Sequence, residues 1–248
     1  MKKTFGFYLA LVVCLASSTA VSADKEQADG VVNVGNEPND SISASGIAVV
    51  NVRQGSCKYS LDISKDQYIK FNTPDVVFLE SKSPPKDQDW PHLEQAEMAV
   101  GYDWSFKKDS NLGAKWFGMM CDGVDNFDLK QTGEDSGSED VSPELQDVRQ
   151  ANALKCPATL SDERWLPNKS AGNSEDYIFQ ELRGSGWSGF IFGFKDKTGK
   201  KIARVSFCIL EGENMLVGAA ENYPDTLTLD AETFQGIRDV LSSLRFSK

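Results

Sequence analysis

A side chain does chemistry only when a second one is held where it can move a proton or share a charge, so the scarcest partner is the place to begin. The chain carries one histidine, His92, and any Ser-His-Asp relay must pass through it. His92 ends the run Trp90-Pro91-His92 downstream of Pro84-Pro85, which reads as an ordinary loop histidine and not as a positioned base. A nucleophile elbow needs Gly-x-Ser-x-Gly between a strand and a helix. Gly186-Trp187-Ser188-Gly189 misses that spacing and precedes a strand. Asp122, Asp125 and Asp128, in Asp-Gly-Val-Asp-Asn-Phe-Asp, bring oxygen ligands close together. A calcium loop, however, alternates its ligands around a central glycine and closes on a glutamate, so these three read as an acidic turn. Zinc held by thiolates needs cysteines at close spacing, and Cys57, Cys121, Cys156 and Cys208 are far apart. No metal ligands and no cofactor are expected.

Ser105-Phe106-Lys107-Lys108 and Lys197-Thr198-Gly199 match two of the three short motifs of the serine β-lactamases and penicillin-binding proteins. There the Ser-x-x-Lys starts a helix, so that serine and lysine share a face. Here it closes an alternating strand, the Ser-Asp-Asn motif is missing, and Lys-Thr-Gly falls in a hairpin turn, so the match is set aside. Two carboxylates with separated pKa values suffice for some hydrolases, but among 37 acidic residues no pair stands out. No catalytic residue is assigned.

The clearest elements lie between Gly186 and Leu244. Phe190-Ile191-Phe192-Gly193-Phe194 is rich in aromatic and β-branched residues, which suit a pleated surface. Asp196-Lys197-Thr198-Gly199-Lys200 is a turn in which Gly199 is free to take a positive φ. From Ile202 to Leu210 the chain alternates, with Ala203, Val205, Phe207 and Ile209 on one face and Arg204, Ser206 and Cys208 on the other. A further turn, Glu211-Gly212-Glu213-Asn214, leads to an apolar run from Met215 to Ala220. Asp230 is placed to cap a helix whose Phe234, Ile237, Val240, Leu241 and Leu244 recur at three- and four-residue spacing. Three antiparallel strands covered by one helix would bury that stripe.

The N-terminus reads as an export signal. Met1-Lys2-Lys3 is a basic start, Phe5 to Leu15 is apolar but too short to span a bilayer, and Val21-Ser22-Ala23 offers a cleavage site after Ala23. The short basic region has a bacterial look, and a soluble periplasmic or secreted protein is expected. Losing Lys2 and Lys3, and no acid, would turn the formal charge of −11 into −13. Such a balance disfavours nucleic acid, whose binding rests on cationic neutralisation of phosphates. It suits solubility, or attraction to a basic partner. Four cysteines would remain, and an even count in an exported protein points to two disulfides with three possible pairings.

An internal similarity chooses among the pairings. Asp75-Val76-Val77-Phe78-Leu79-Glu80 follows Cys57 much as Asp176-Tyr177-Ile178-Phe179-Gln180-Glu181 follows Cys156. Next, the alternating run Met98 to Phe106 and the segment Trp116 to Gly123, which contains Cys121, stand where the hairpin ending at Cys208 stands in the second half. Leu145-Gln146-Asp147-Val148-Arg149, after the helix start Ser142-Pro143-Glu144, matches Phe234-Gln235-Gly236-Ile237-Arg238. The fold class expected is therefore α+β. It would consist of two tandem similar lobes, each an antiparallel sheet with a hairpin, covered by a helix and stapled by one disulfide, Cys57–Cys121 and Cys156–Cys208. The domain plan is a signal at 1–23, a flexible arm at 24–44, a first lobe at 45–154 and a second at 155–248. Ser81 to Glu97 is an insertion that cannot be regular around its prolines, and Gly133 to Asp140 is an acidic loop.

Of five tryptophans, Trp104 and Trp116 sit in strands and read as core, while Trp90, Trp165 and Trp187 lie in or beside loops. Aromatics at such places are common anchors of protein interfaces. A partner-binding surface is accordingly expected from Trp90, His92, Glu134, Asp135, Glu139, Asp140 and Trp187. In size, export signal, acidity and fold style the chain resembles the periplasmic immunity proteins that neutralise toxins delivered by type VI secretion, some of which block phospholipases. That resemblance implies a non-catalytic protein that binds and inhibits a toxic effector enzyme. The repeated strand, hairpin and helix order also resembles the α-β-α sandwich of the PsbP-type proteins. The alternatives are an exported hydrolase working with carboxylates and an envelope module that binds a small ligand between the halves.

Overall fold

The structure, a computed structural model, describes residues 30–83, 86, 90–97, 102–107, 115–129, 142–221 and 228–247. The apolar runs of the second half fold as their alternation requires. They form β12 (Tyr177–Gly184), β13 (Trp187–Lys195), β14 (Ile202–Glu211) and β15 (Asn214–Ala220), each antiparallel to the next. Gly199 takes the positive φ, +68°, that the turn between β13 and β14 demands. The free edge of β15 pairs with β9 (Lys115–Gly123), followed by β6 (Val76–Glu80), β5 (Gln67–Phe71) and β2 (Ser43–Ser45). The outcome is one eight-stranded sheet in the order β12-β13-β14-β15-β9-β6-β5-β2.

Both faces of that sheet are buried, so its central strands carry apolar residues on both sides and not an apolar/polar alternation. On one face Phe78, Phe117 and Phe207 pack ring to ring at 4.9 and 5.7 Å between centroids. They are covered by α2 (Ala231–Ser242), through Phe234, Ile237 and Leu241, and by a second sheet. That sheet has the order β1 (Val31–Gly35), β3 (Ala48–Gln54), β4 (Cys57–Ile63), β16 (Arg245–Phe246), with β1 and β3 parallel. The other face carries Val77, Trp116, Met120, Phe190, Phe192 and Val217. Its cover is the hairpin β7 (His92–Glu97)–β8 (Tyr102–Lys107), the hairpin β10 (Ala158–Ser161)–β11 (Arg164–Pro167), and the end of α1 (Pro143–Lys155). A Cβ at Gly118 would stand 2.0 Å from the Phe106 ring, so the bare backbone of β9 is what admits that ring from β8.

The two helices are held by different forces. Asp230 caps α2 by accepting from the Thr233 N–H at 2.7 Å, and the apolar stripe does the rest. Ser142 caps α1, as its Ser-Pro-Glu start predicts, yet the buried residue of α1 is a polar one, Asn152. Asn152 Nδ2 donates to the Asn126 carbonyl at 3.0 Å and Arg149 Nε to the Asp125 carbonyl at 2.8 Å. Next to the helix, Cys156 is bonded to Cys208 of β14; on the opposite face of the sheet Cys57 of β4 is bonded to Cys121 of β9. The pairing is the one expected, and each disulfide fastens a different covering layer to the central sheet.

Other expectations are corrected. Strands from both halves share one sheet through β9 and β15, in place of one sheet per lobe, and the sheet crosses the boundary at 154/155. The first-half hairpin does not form: β8 pairs with β7, while β9 is taken up between β6 and β15, where Trp116, Phe117, Met119 and Met120 are buried. Within the span expected as a flexible arm, Val31–Gly35 is strand β1, burying Val32 and Val34, and Ser43–Ser45 is strand β2. His92–Glu97, inside the supposedly irregular insertion, is strand β7, since its prolines precede the paired stretch. The signal at 1–23 and the acidic loop at 133–140 lie outside the described residues.

Candidate interaction surface

Antiparallel neighbours place every second turn at the same end of a sheet. Here that end gathers the β12–β13 turn at Gly186, the β14–β15 turn at Gly212-Glu213, and the short 3-10 turn Val124–Asn126 after β9. The Val124 N–H donates to the Glu213 carbonyl at 3.0 Å and ties two of them together. The β10–β11 hairpin brings a fourth turn, Asp162-Glu163, with both residues left-handed at φ +49° and +63°. Between the turns runs a shallow groove of about 480 Å³, walled by Leu160 and Leu210, floored by Gly184, Gly186 and Gly212, with Glu163 and Arg183 at its rim.

The charges around the groove are uneven. Glu181 accepts from Arg183 Nη2 at 2.9 Å and from Arg164 Nη2 at 3.3 Å, so one carboxylate holds two guanidiniums. Arg183 also donates to the Glu163 carbonyl. Asp162, Glu163, Glu211 and Glu213 make no ion pair among the described residues, and Asp162, Glu163 and Glu213 are exposed. Of these charged residues Glu163 and Arg183 line the groove itself; the others belong to the strands and turns beside it.

The residues expected to bind a partner are placed differently from one another. Trp90 is 8 % exposed, edge-on to Tyr68 at 6.4 Å, with Lys70 Nζ 5.6 Å above its ring. Trp187 is 5 % exposed and donates from Nε1 to the Leu244 carbonyl at 3.1 Å, while Trp165 is buried and donates to Ser188 Oγ. None of these rings is an exposed anchor: Trp165 on β11, Trp187 at the start of β13 and Trp90 before β7 are each packed into an apolar layer. His92 is exposed; its Nε2 lies 3.5 Å from Glu94 Oε1 and its Nδ1 3.5 Å from the Trp90 carbonyl. Lys107 pairs with Glu94 and holds that carboxyl below the usual range. Glu134, Asp135, Glu139 and Asp140 are outside the described residues.

Two polar residues of the interior escaped the sequence reading. Gln54 is buried where the two sheets meet; its Nε2 donates to the Pro74 and Met119 carbonyls at 2.7 and 2.8 Å, and its Oε1 accepts from Tyr59 Oη. Asp75 is buried at the start of β6, where desolvation pushes its carboxyl up against hydrogen bonds from Asn72 Nδ2, at 3.0 Å, and the Leu93 N–H. Neither has a local sequence signature. The two rejected motifs stay apart in kind: Ser105 is on strand β8, and Thr198 Oγ1 donates within its own turn to Asp196 at 2.8 Å. Asp122 Oδ1 accepts from Asn126 Nδ2 at 2.6 Å, which makes it a turn-former. Among the described residues no group of three His, Cys, Asp or Glu side chains is placed to hold a metal ion, and no helix is long and apolar enough to cross a membrane.

Sheet, covers and staples define an α+β protein built on a doubly covered antiparallel sheet. No protein-family model matches the chain, and no curated protein matches its sequence.

Proposed function

We propose that this chain is an exported, non-catalytic binding protein of the periplasm that occupies and blocks another protein, in the manner of an immunity protein against a toxic effector enzyme such as a phospholipase. The observation that carries the reading is the acidic, turn-built end of a sheet fixed by two disulfides. Asp162, Glu163, Glu211 and Glu213, which make no ion pair among the described residues, lie on or beside the turns at that end, whose backbone is set by the strands beneath. A surface prepared in that way loses little conformational freedom on binding, and its charge speeds encounter with a basic partner. The two disulfides suit an oxidising compartment.

The test is a titration of the purified mature chain into phospholipase activity secreted by bacteria that share its source. Activity should fall linearly to an end point at one chain per enzyme. Activity indifferent to excess chain would remove the phospholipase inhibitor reading.

A further inference from the structure

We infer that β12 is a self-association edge: two copies of the chain join along it about a two-fold axis at Gln180, continuing the eight-stranded sheet from one molecule into the next. β12 and β2 are the outermost strands of that sheet. β2 is three residues long, whereas β12 runs for eight, from Tyr177 to Gly184, and pairs with β13 without a register shift. Which of its groups face outward follows from the turn. The two-residue connection Ser185-Gly186, with Gly186 at φ +80°, makes Gly184 and Trp187 a hydrogen-bonded pair. Counting back from it, Leu182, Gln180 and Ile178 bond to β13, and Arg183, Glu181, Phe179 and Tyr177 turn their N–H and C=O to the open side. Among the described residues no backbone group pairs with those outward groups. An edge of this length with no proline, lysine or bulge is a template for another strand.

The strand's own residues select a second copy as the occupant. In an antiparallel pair outward residues bond only to outward residues, and a single register gives every one of them a partner within the strand. It sets Tyr177 opposite Arg183 and Phe179 opposite Glu181, in both directions. On the face covered by α2 the same register brings Ile178 to Leu182 of the second copy, and Gln180 to its own counterpart. On the other face the Arg183 guanidinium meets the Tyr177 ring of the second copy, a favourable cation–π arrangement. A shift of two residues leaves outward groups unpaired and, in one direction, sets Glu181 against Glu181. Arg238 Nη1 donates to Gln180 Oε1 at 3.4 Å, and the Gln180 amide nitrogen, which has no partner among the described residues, is left for the second copy's amide oxygen. Charge agrees. β12 holds one acid and one base, Glu181 and Arg183, already paired at 2.9 Å, in a chain whose formal charge is −11. Two acidic molecules can therefore meet along this edge without like charges standing opposite each other.

The experiment is sedimentation equilibrium of the whole chain from micromolar to millimolar concentration, with amide hydrogen exchange read at each end of the range. A mass of two chains at the upper end, falling to one on dilution, is expected. The Tyr177, Phe179, Glu181 and Arg183 amides should exchange slowly in the dimer and quickly after dilution, while those of Ile178, Gln180 and Leu182 stay slow throughout. Phe179→Pro removes an outward N–H that the single chain leaves unbonded, a position where an edge strand tolerates proline, and should give one chain at every concentration. Gln180→Glu keeps an acceptor for Arg238 but sets two carboxylates opposite each other, and should weaken association about fivefold, less so in high salt. Thermal unfolding near the wild-type midpoint would establish that both variants fold. A single-chain mass throughout, a dimer whose Phe179 and Glu181 amides still exchange fast, or variants that associate as tightly as wild type would overturn the pairing. Protection of those amides only by an added partner protein would overturn it too, and would give the edge to that partner.

Discussion

Asp75 is the residue at which charge and burial conflict most directly. Its carboxyl sits under the β7–β8 hairpin with desolvation as the largest influence, and its folded pKa is raised. A raised carboxyl makes its full contribution to stability below the unfolded value, near pH 4, and loses it as pH rises through the folded value. Asp75→Asn removes that dependence, so the stability gap between variant and wild type should shift in the variant's favour from pH 4 to pH 8. Urea unfolding across that range measures it, and parallel profiles for the two proteins would show that Asp75 does not titrate against the fold. Asp62 has the opposite sign. It is exposed and held low by Arg245, whose Nη1 and Nη2 donate to it at 2.9 and 2.8 Å. Its contribution is present above the unfolded value and fades as pH falls through the lowered one. At this scale the cysteines were legible, because their count and the repeated order around them restricted the pairing. The tryptophans were less so. Proline and glycine flanks place Trp90 and Trp187 in or beside loops, but Trp187 opens strand β13 and both rings turn inward.

Among the elements, α1 depends most on a covalent bond. Its side chains are largely polar or half-exposed, Leu154 is 60 % exposed, and polar contacts at Asn152 and Arg149 with the disulfide at its end fasten it down. A chain-entropy estimate gives each disulfide about 4 kcal/mol for loops of this length. Replacing Cys156 and Cys208 by serine should therefore cost global stability and also free α1 locally. In hydrogen exchange, amides of 146–155 should lose protection well before those of β9, β14 and β15. Uniform loss across helix and sheet would show that the helix is held by packing and that the bridge acts only on the unfolded chain. The second-half meander was legible because each strand pairs with its sequence neighbour across a short turn. The partners of β9 are not local: β6 lies on one side and β15, from the far half of the chain, on the other. Alternation identifies a strand but not its distant neighbour, so the first-half hairpin was drawn to the nearest run. β1 shows the same limit, since its partner β3 runs parallel to it and needs an intervening excursion.

For the whole molecule, the continuous sheet makes both halves one scaffold, and its acidic end is what the account asks to recognise a partner. Composition already pointed to net negative charge, −11 over the full sequence, yet the gathering of Glu163 and Glu213 at one end of the sheet arises only when separate hairpins turn there. The most direct measurement is affinity capture on the immobilised chain from the envelope and secreted fractions of the organism that makes it, with quantitative mass spectrometry and an activity assay on what is retained. One stoichiometric partner is predicted, an enzyme released by high salt and inhibited while bound. A stoichiometric partner whose activity is unchanged on binding, or no stoichiometric protein partner from either fraction, would contradict the account.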